Sequence, residues 1–365
     1  MALPSSEIAP SASSARRPAA GVTEAEREAA YMAAWRPYYH AVATVAELDA
    51  PRLDEHGRQQ PLPVELMGEH LILARLDGRL AALDGRCPHR GVSLEVGWVS
   101  DDRQAIVCRY HGAHWCQDGH LGVFPAMAAE GHRTPNWCIG SYPVIEQHGL
   151  VWVSLDPQPR SPVLELPEAA DPNFVHLPIY TATWRAGVGR MIEAQLDVYH
   201  FAFTHVGTIG DPNNPRAPRT DVAVRDGRLQ VQYTIDQPAN AGIAEPGADQ
   251  SELVPVTYQI RAAPNAARLT KISPAGNFII YFACTPLAPR RSRLYRLIVR
   301  DHDKDVPDEV FIELENLINW QDQLVVEHME PWESTTALDE EKQVYMDKPT
   351  IAYRRWLGSL GMRYM

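Results

Sequence analysis

Two cysteine–histidine pairs constrain this chain more than any other feature: Cys87-Pro88-His89 and, after 18 intervening residues, Cys108-Arg109-Tyr110-His111. Four such side chains meet only if two loops are held side by side, and pleated structure does that most economically. The flanking residues supply it. HLILARLDGRLAAL with its Asp77-Gly78 turn, QAIVCRY and GLVWVSL predict short strands and hairpins between about Trp35 and Asp156. Gly91 and Gly112 follow the two pairs, where the missing Cβ lets backbone N–H groups approach a bound centre.

Two cysteines and two histidines are also a zinc ligand set. Zinc fingers, however, place Cys with Cys and His with His, whereas each pair here is mixed. Mixed pairs suit a Rieske [2Fe–2S] centre, in which two Cys hold one iron and two His the other. Cys116, Cys138 and Cys284 have no paired spacing and are assigned to packing, and His114 and His120 to loop surfaces. Five Cys in 365 residues argue against a disulfide framework and for a reducing, cytoplasmic setting. With 34 basic against 46 acidic residues and a net charge of −12, the chain is a poor binder of nucleic-acid phosphates, and its acidic surface suits a basic partner. No apolar run is long enough to span a membrane. The first 20 or so residues are rich in Ala, Ser and Pro, and no apolar stretch follows Arg16-Arg17, so a flexible tail is expected rather than an export signal. Thr23 and Glu26 form a capping box that opens a helix.

After a Pro-rich connector at PQPRSPVLELPEAADPNF, strand-like IYTATWRA, LQVQYTI, TYQIRAA, NFIIYFACTPL and RLYRLIVRD mix with helical MIEAQLDVYHFAFTH and the segment Pro307–Glu330. The class is α+β: an all-β domain, then a helix-lined antiparallel sheet. The expected division is a tail at 1–22, a first domain at 23–160 and a catalytic domain at 161–365. Gln237 to Pro255, with three Pro, reads as a long loop and a lid over the pocket. Asp197, His200 and His205 form a second cluster. In a regular helix Asp197 and His200 share a face, while His205 lies about 140° from His200, so the helix must break between the histidines if both are to meet one ion. Two His and a carboxylate suit non-haem Fe(II) that activates O2. Asp322, Glu313, Glu315 and Glu327 are all available as the carboxylate.

Taken together, C-x-H…C-x-x-H and D-x-x-H-x-x-x-x-H resemble the Rieske non-haem iron oxygenases, and the likeness runs from about Trp35 to the C-terminus. Cys87-Pro88-His89-Arg90-Gly91 and Tyr110-His111-Gly112 match the cluster loops, and Trp320-Gln321-Asp322-Gln323 with Val325-Val326-Glu327 matches the segment that supplies the last carboxylate. Ala352–Leu357 and LDVYHFAFTHVGTIGDP are most similar to the branch of vanillate O-demethylase oxygenases, dicamba monooxygenase and saxitoxin-pathway hydroxylases. The resemblance implies an alpha (terminal oxygenase) subunit in a homotrimer, a [2Fe–2S] cluster on Cys87, His89, Cys108 and His111, and Fe(II) on His200, His205 and Asp322. Asp197 then bridges His111 of a neighbouring subunit to an iron-binding His. It also implies O2 as co-substrate, and electrons from NAD(P)H through a ferredoxin or a flavin/iron–sulfur reductase. The expected reaction is hydroxylation of a small aromatic or heterocyclic compound, including O- or N-demethylation. Ring cis-dihydroxylation is the alternative within the family, and electron transfer without catalytic iron the alternative outside it. Arg109, Ala113 and Ala194 stand where the family usually has Pro, Trp and Asn. Phe201, Phe203, Phe278, Ile280, Phe282 and Trp320 are candidate pocket walls, although such residues more often form plain core.

Overall fold

In the computed structural model, helix Glu24–Trp35 starts at the expected cap: Thr23 Oγ1 accepts from the Glu26 N–H at 3.2 Å, and the Glu26 carboxylate accepts from the Thr23 N–H at 2.8 Å. The structure describes residues 22–213, 215, 218–238 and 253–365, so the expected tail, with Arg16 and Arg17, lies outside the described residues apart from Val22.

The first part is built of small antiparallel sheets. Strands Leu62–Leu66, Glu69–Leu76 and Arg79–Asp84 form one. Trp98–Val99, Ala105–Val107, His114–Cys116 and Leu121–Val123 form a second, and His40–Thr44, Leu150–Val153 and Val144–Gln147 a third. Ile72, Leu83, Leu94, Ile106, Trp115 and Leu121 are buried together around Cys87 and Cys108. His114 belongs to a strand and is half-buried, and Cys138 is exposed, so neither sits where the sequence suggests.

The second part is dominated by an eight-stranded antiparallel sheet. Its central strands are Arg228–Pro238, Leu253–Ala263, Ala266–Ser273, Gly276–Ala288 and Arg291–Arg300, paired in chain order. Three strands of this sheet are not evident from the sequence, Val175–His176, Asp221–Arg225 and Ala266–Ser273. The expected lid is shorter than 237–255, because Gln237 and Pro238 pair with Val254 and Leu253 as a continuation of the hairpin. The remainder of that segment, 239–252, lies outside the described residues. Register places Tyr258 beside Lys271, Leu269 beside Ile280 and Phe282 beside Arg296. Helices Val188–Leu196, Asp308–Val326 and Lys348–Ser359 complete this part, and Met191, Ile192, Leu196, Phe311 and Leu357 join one core with the sheet. The helix Glu24–Trp35 rests against this part as well: Tyr31 packs edge-on to Trp332 at 4.8 Å, and its hydroxyl accepts from the Val188 N–H at 2.9 Å.

Candidate metal centres and pocket

The two Cys–His loops have the same construction. Cys87 and Cys108 each accept, through the carbonyl, from the N–H of Gly91 or Gly112 at 2.9 Å. Those glycines sit at φ +72° and +71°, a region that side chains with Cβ disfavour. The sulfurs are buried and hydrogen-bond to one another, which pushes Cys87 up and Cys108 down in pKa. Backbone N–H groups of Tyr110 and His111 also point at Cys108. On the outer side the two Nδ1 atoms of His89 and His111 face each other at 3.1 Å. Tyr110, Phe124 and Trp137 surround the two rings.

Sulfurs therefore pair with each other inside and imidazoles pair outside. His200, His205 and Asp322 are the only group of three or more ligand side chains, among the described residues, whose donor atoms all lie within 4.8 Å of one another. The four side chains of the first cluster thus do not close on a single ion, as zinc requires. Two irons bridged by sulfide fit a sulfur pair set apart from an imidazole pair, with backbone donors beside the sulfur.

The second cluster is assembled differently from the sequence expectation. Helix Val188–Leu196 ends before Asp197, whose backbone is extended (φ −90°, ψ 134°), and a separate turn spans Phe201–Thr204. The physical cause is local: the Asp197 carboxylate accepts from the Tyr199 N–H at 2.9 Å, a side-chain turn that competes with the helix. The break therefore precedes His200, and Asp197 and His200 do not share a regular helix face. His200 and His205 flank the short turn, and their Nε2 atoms come within 3.2 Å of each other. Asp322 reaches in from helix Asp308–Val326, with Oδ1 at 3.4 Å from His200 Nε2 and 3.1 Å from His205 Nε2.

Outer hydrogen bonds orient both rings. His200 Nδ1 lies 3.3 Å from Asp197 Oδ2, and His205 Nδ1 donates to Gln321 Oε1 at 2.9 Å. Gln321 was not singled out from the sequence; its place directly before Asp322 was the only available signal. Burial opposes the charged forms, but the two histidines carry Asp322 down to about 2, and Asp197 with Asp322 carries His200 up to about 9. Two imidazole nitrogens and a carboxylate oxygen converging on one point suit a divalent cation. Of the other acids, Glu313 is exposed, Glu327 pairs with Arg185, and Glu315 faces the cavity instead.

That cavity, about 460 Å3 including its mouth, runs from the His–His–Asp cluster along the sheet. Phe201, Ile280 and Phe282 line it, as expected, together with Ala194, Tyr258 and Leu269. Phe203 is 67% and Trp320 49% exposed on the outside, and Phe278 is buried against Phe311, so these three are not walls. They share the apolar character of pocket residues, and only the strand and helix phases separate the two groups.

Two domain families match the chain: the Rieske [2Fe-2S] domain over residues 45–143 and the vanillate O-demethylase oxygenase C-terminal domain over 184–363. Methylxanthine N1-demethylase NdmA of Pseudomonas putida is 29% identical over 331 residues, 89% of each chain. A vanillate O-demethylase oxygenase subunit from a Pseudomonas species is 30% identical over 171 residues, 44% of each. The solved structure of Pseudomonas putida NdmA with caffeine superposes with a TM-score of 0.77 at 26% identity, covering 91% of this chain and 92% of that one.

Proposed function

The chain belongs to the Rieske non-haem iron oxygenases, as the alpha subunit, and from that premise we propose a reductase-dependent monooxygenase that removes methyl groups from N or O of a small aromatic or heterocyclic compound. The observation that carries this reading is the convergence of His200, His205 and Asp322 at one end of a largely apolar pocket. Relatives that act on methylxanthines and vanillate support demethylation.

In this reading Cys87, Cys108, His89 and His111 hold the [2Fe–2S] cluster, and His200, His205 and Asp322 hold Fe(II). When bound, these groups supply single-electron delivery and O2 activation. The protein's own part is orientation and exclusion. Asp197 and Gln321 set the two ring planes through Nδ1, and the apolar wall keeps bulk water from the reacting methyl. Overall, the methylated substrate, O2, two electrons and two protons give the demethylated substrate, formaldehyde and water.

Electrons come from NAD(P)H through a separate ferredoxin or flavin/iron–sulfur reductase. We place two further features on the same basis. The chain works as a homotrimer, supported by the exposed apolar face Leu317, Trp320, Leu324 and Val325, by the one-third-exposed Asp197, and by exposed Tyr110 and His111 at the cluster. It resides in the cytoplasm, supported by five free cysteines; no helix among the described residues is long and apolar enough to cross a membrane. The division at residues 160 and 161 is likewise a proposal, supported by the separate core around the cluster loops. Purified chain is expected to carry about three irons and, with a reductase and NAD(P)H, to release formaldehyde in step with substrate loss. About two irons and no turnover would leave an electron carrier.

A further inference from the structure

The inner face of the catalytic sheet is apolar over most of its extent, and Lys271 and Arg296 interrupt it inside the cavity that reaches the His–His–Asp cluster. Their ladder neighbours are Tyr258 and Phe278 for Lys271 and Tyr180 and Phe282 for Arg296, whose guanidinium lies 4.5 Å from the centre of the Tyr180 ring. Burying cations among such residues is unfavourable unless something compensates them. Arg300, on the same face, is the best compensated: its two terminal nitrogens donate to the carbonyls of His302, Asp303 and Val306 and to Asp308, and only its Nε has no partner among the described residues. Arg296 is partly compensated. It donates to the Glu315 carbonyl at 2.5 Å and to Asn316 Oδ1 at 2.8 Å, while its buried Nε has no partner among the described residues.

Lys271 is the least satisfied of the three. Its nearest carboxylate oxygen, Glu315 Oε1, is 3.6 Å away, beyond a good hydrogen bond, and the other oxygen of Glu315 lies 4.0 Å from Arg296. One carboxylate thus faces two cations, and the Lys271 ammonium, 5.3 Å from the centre of the Phe278 ring, has no hydrogen-bond acceptor within 3.5 Å among the described residues. Burial works against the charge, but Glu315 holds the lysine pKa above its usual value, so the ammonium persists at neutral pH.

We propose that Lys271 anchors an oxyanion on the substrate, a carboxylate or an ionised ring oxygen, so that the pocket selects small organic acids over neutral compounds of the same shape. This rests on the oxygenase pocket described above and names its substrate class. An acid completes the hydrogen bonding of Lys271 and offsets the surplus positive charge, whereas a neutral isostere does neither.

The test is calorimetric binding of three acids, benzoate, 4-methoxybenzoate and nicotinate, against their amides to the iron-loaded enzyme. At least one acid should bind about tenfold or more tighter than its amide. Lys271→Met should erase the preference. Lys271→Gln, which keeps a polar side chain beside Glu315 but no charge, should erase it as well. The proposal is overturned if no acid binds more tightly than its amide, or if Lys271→Met or Lys271→Gln keeps the preference. Should Lys271→Met fail to fold, Lys271→Gln decides alone. Iron content of the same preparations separates the two readings: a chain without the third iron that keeps a Lys271-dependent preference contradicts the oxygenase and leaves the anion pocket standing.

Discussion

Asp197 occupies a position that no packing requirement explains. Its side chain is about one-third exposed, with one oxygen on the Tyr199 N–H and the other 3.3 Å from His200 Nδ1. Such a carboxylate fixes a ring and remains available to a second imidazole from outside. Asp197→Ala should therefore keep both metals and the oligomer while losing nearly all turnover, whereas His200→Ala should lose the mononuclear iron itself. Iron analysis beside product formation distinguishes them, and an Asp197→Ala enzyme with near-normal turnover would remove the bridging role. The cluster residues were legible as a spacing because ligand chemistry restricts residue type. Gln321 and Lys271 were not, because an amide beside an acid and a lysine in a strand are ordinary until the partners are known.

Short elements position these residues, and two sites test how. Gly210 donates to the His205 carbonyl at 3.0 Å, and a Cβ there would fall on the Phe201 carbonyl at the start of the turn that carries both histidines. Gly210→Ala should displace that turn and weaken iron binding with little change in the Rieske spectrum; unchanged iron occupancy would show that the turn tolerates the shift. Further back, Glu193 of helix Val188–Leu196 accepts twice from Arg354 at 2.5 and 2.9 Å, and Glu341 contacts both Arg190 and Arg354. Burial tends to raise the Glu341 pKa, but the two arginines hold it below the ordinary 4.5. A depressed folded pKa adds stability that is present above 4.5 and lost as the pH falls through the folded value. Glu341→Gln should therefore lower stability by roughly 1–3 kcal/mol at neutral pH, with the Tm gap to the parent closing in acid. A gap that widens in acid would reverse the sign assigned to this carboxylate. At this scale the sequence located most strands and the long helix by periodicity, yet missed Ala266–Ser273, whose Arg268, Lys271 and paired alanines blur the alternation.

For the whole molecule, the proposed trimer makes electron transfer an event between chains. Mixed trimers of Cys108→Ser chains, which lack an intact cluster, and His200→Ala chains, which lack the mononuclear iron, should recover part of the activity that neither parent shows. No recovery in verified mixed trimers with the expected metals would confine the electron to one chain. The sequence by itself determined the fold class and the family and picked out both candidate clusters, because ligand-type side chains and turn glycines are demanded by type and spacing, which survive in one dimension. Only the tertiary structure decided where the site helix breaks, which aromatic residues face the cavity and which face outward, and that a lysine loosely paired with Glu315 stands in its wall. Those outcomes depend on the phase of each helix and the register of each strand, and phase and register are set by contacts between residues far apart in the chain.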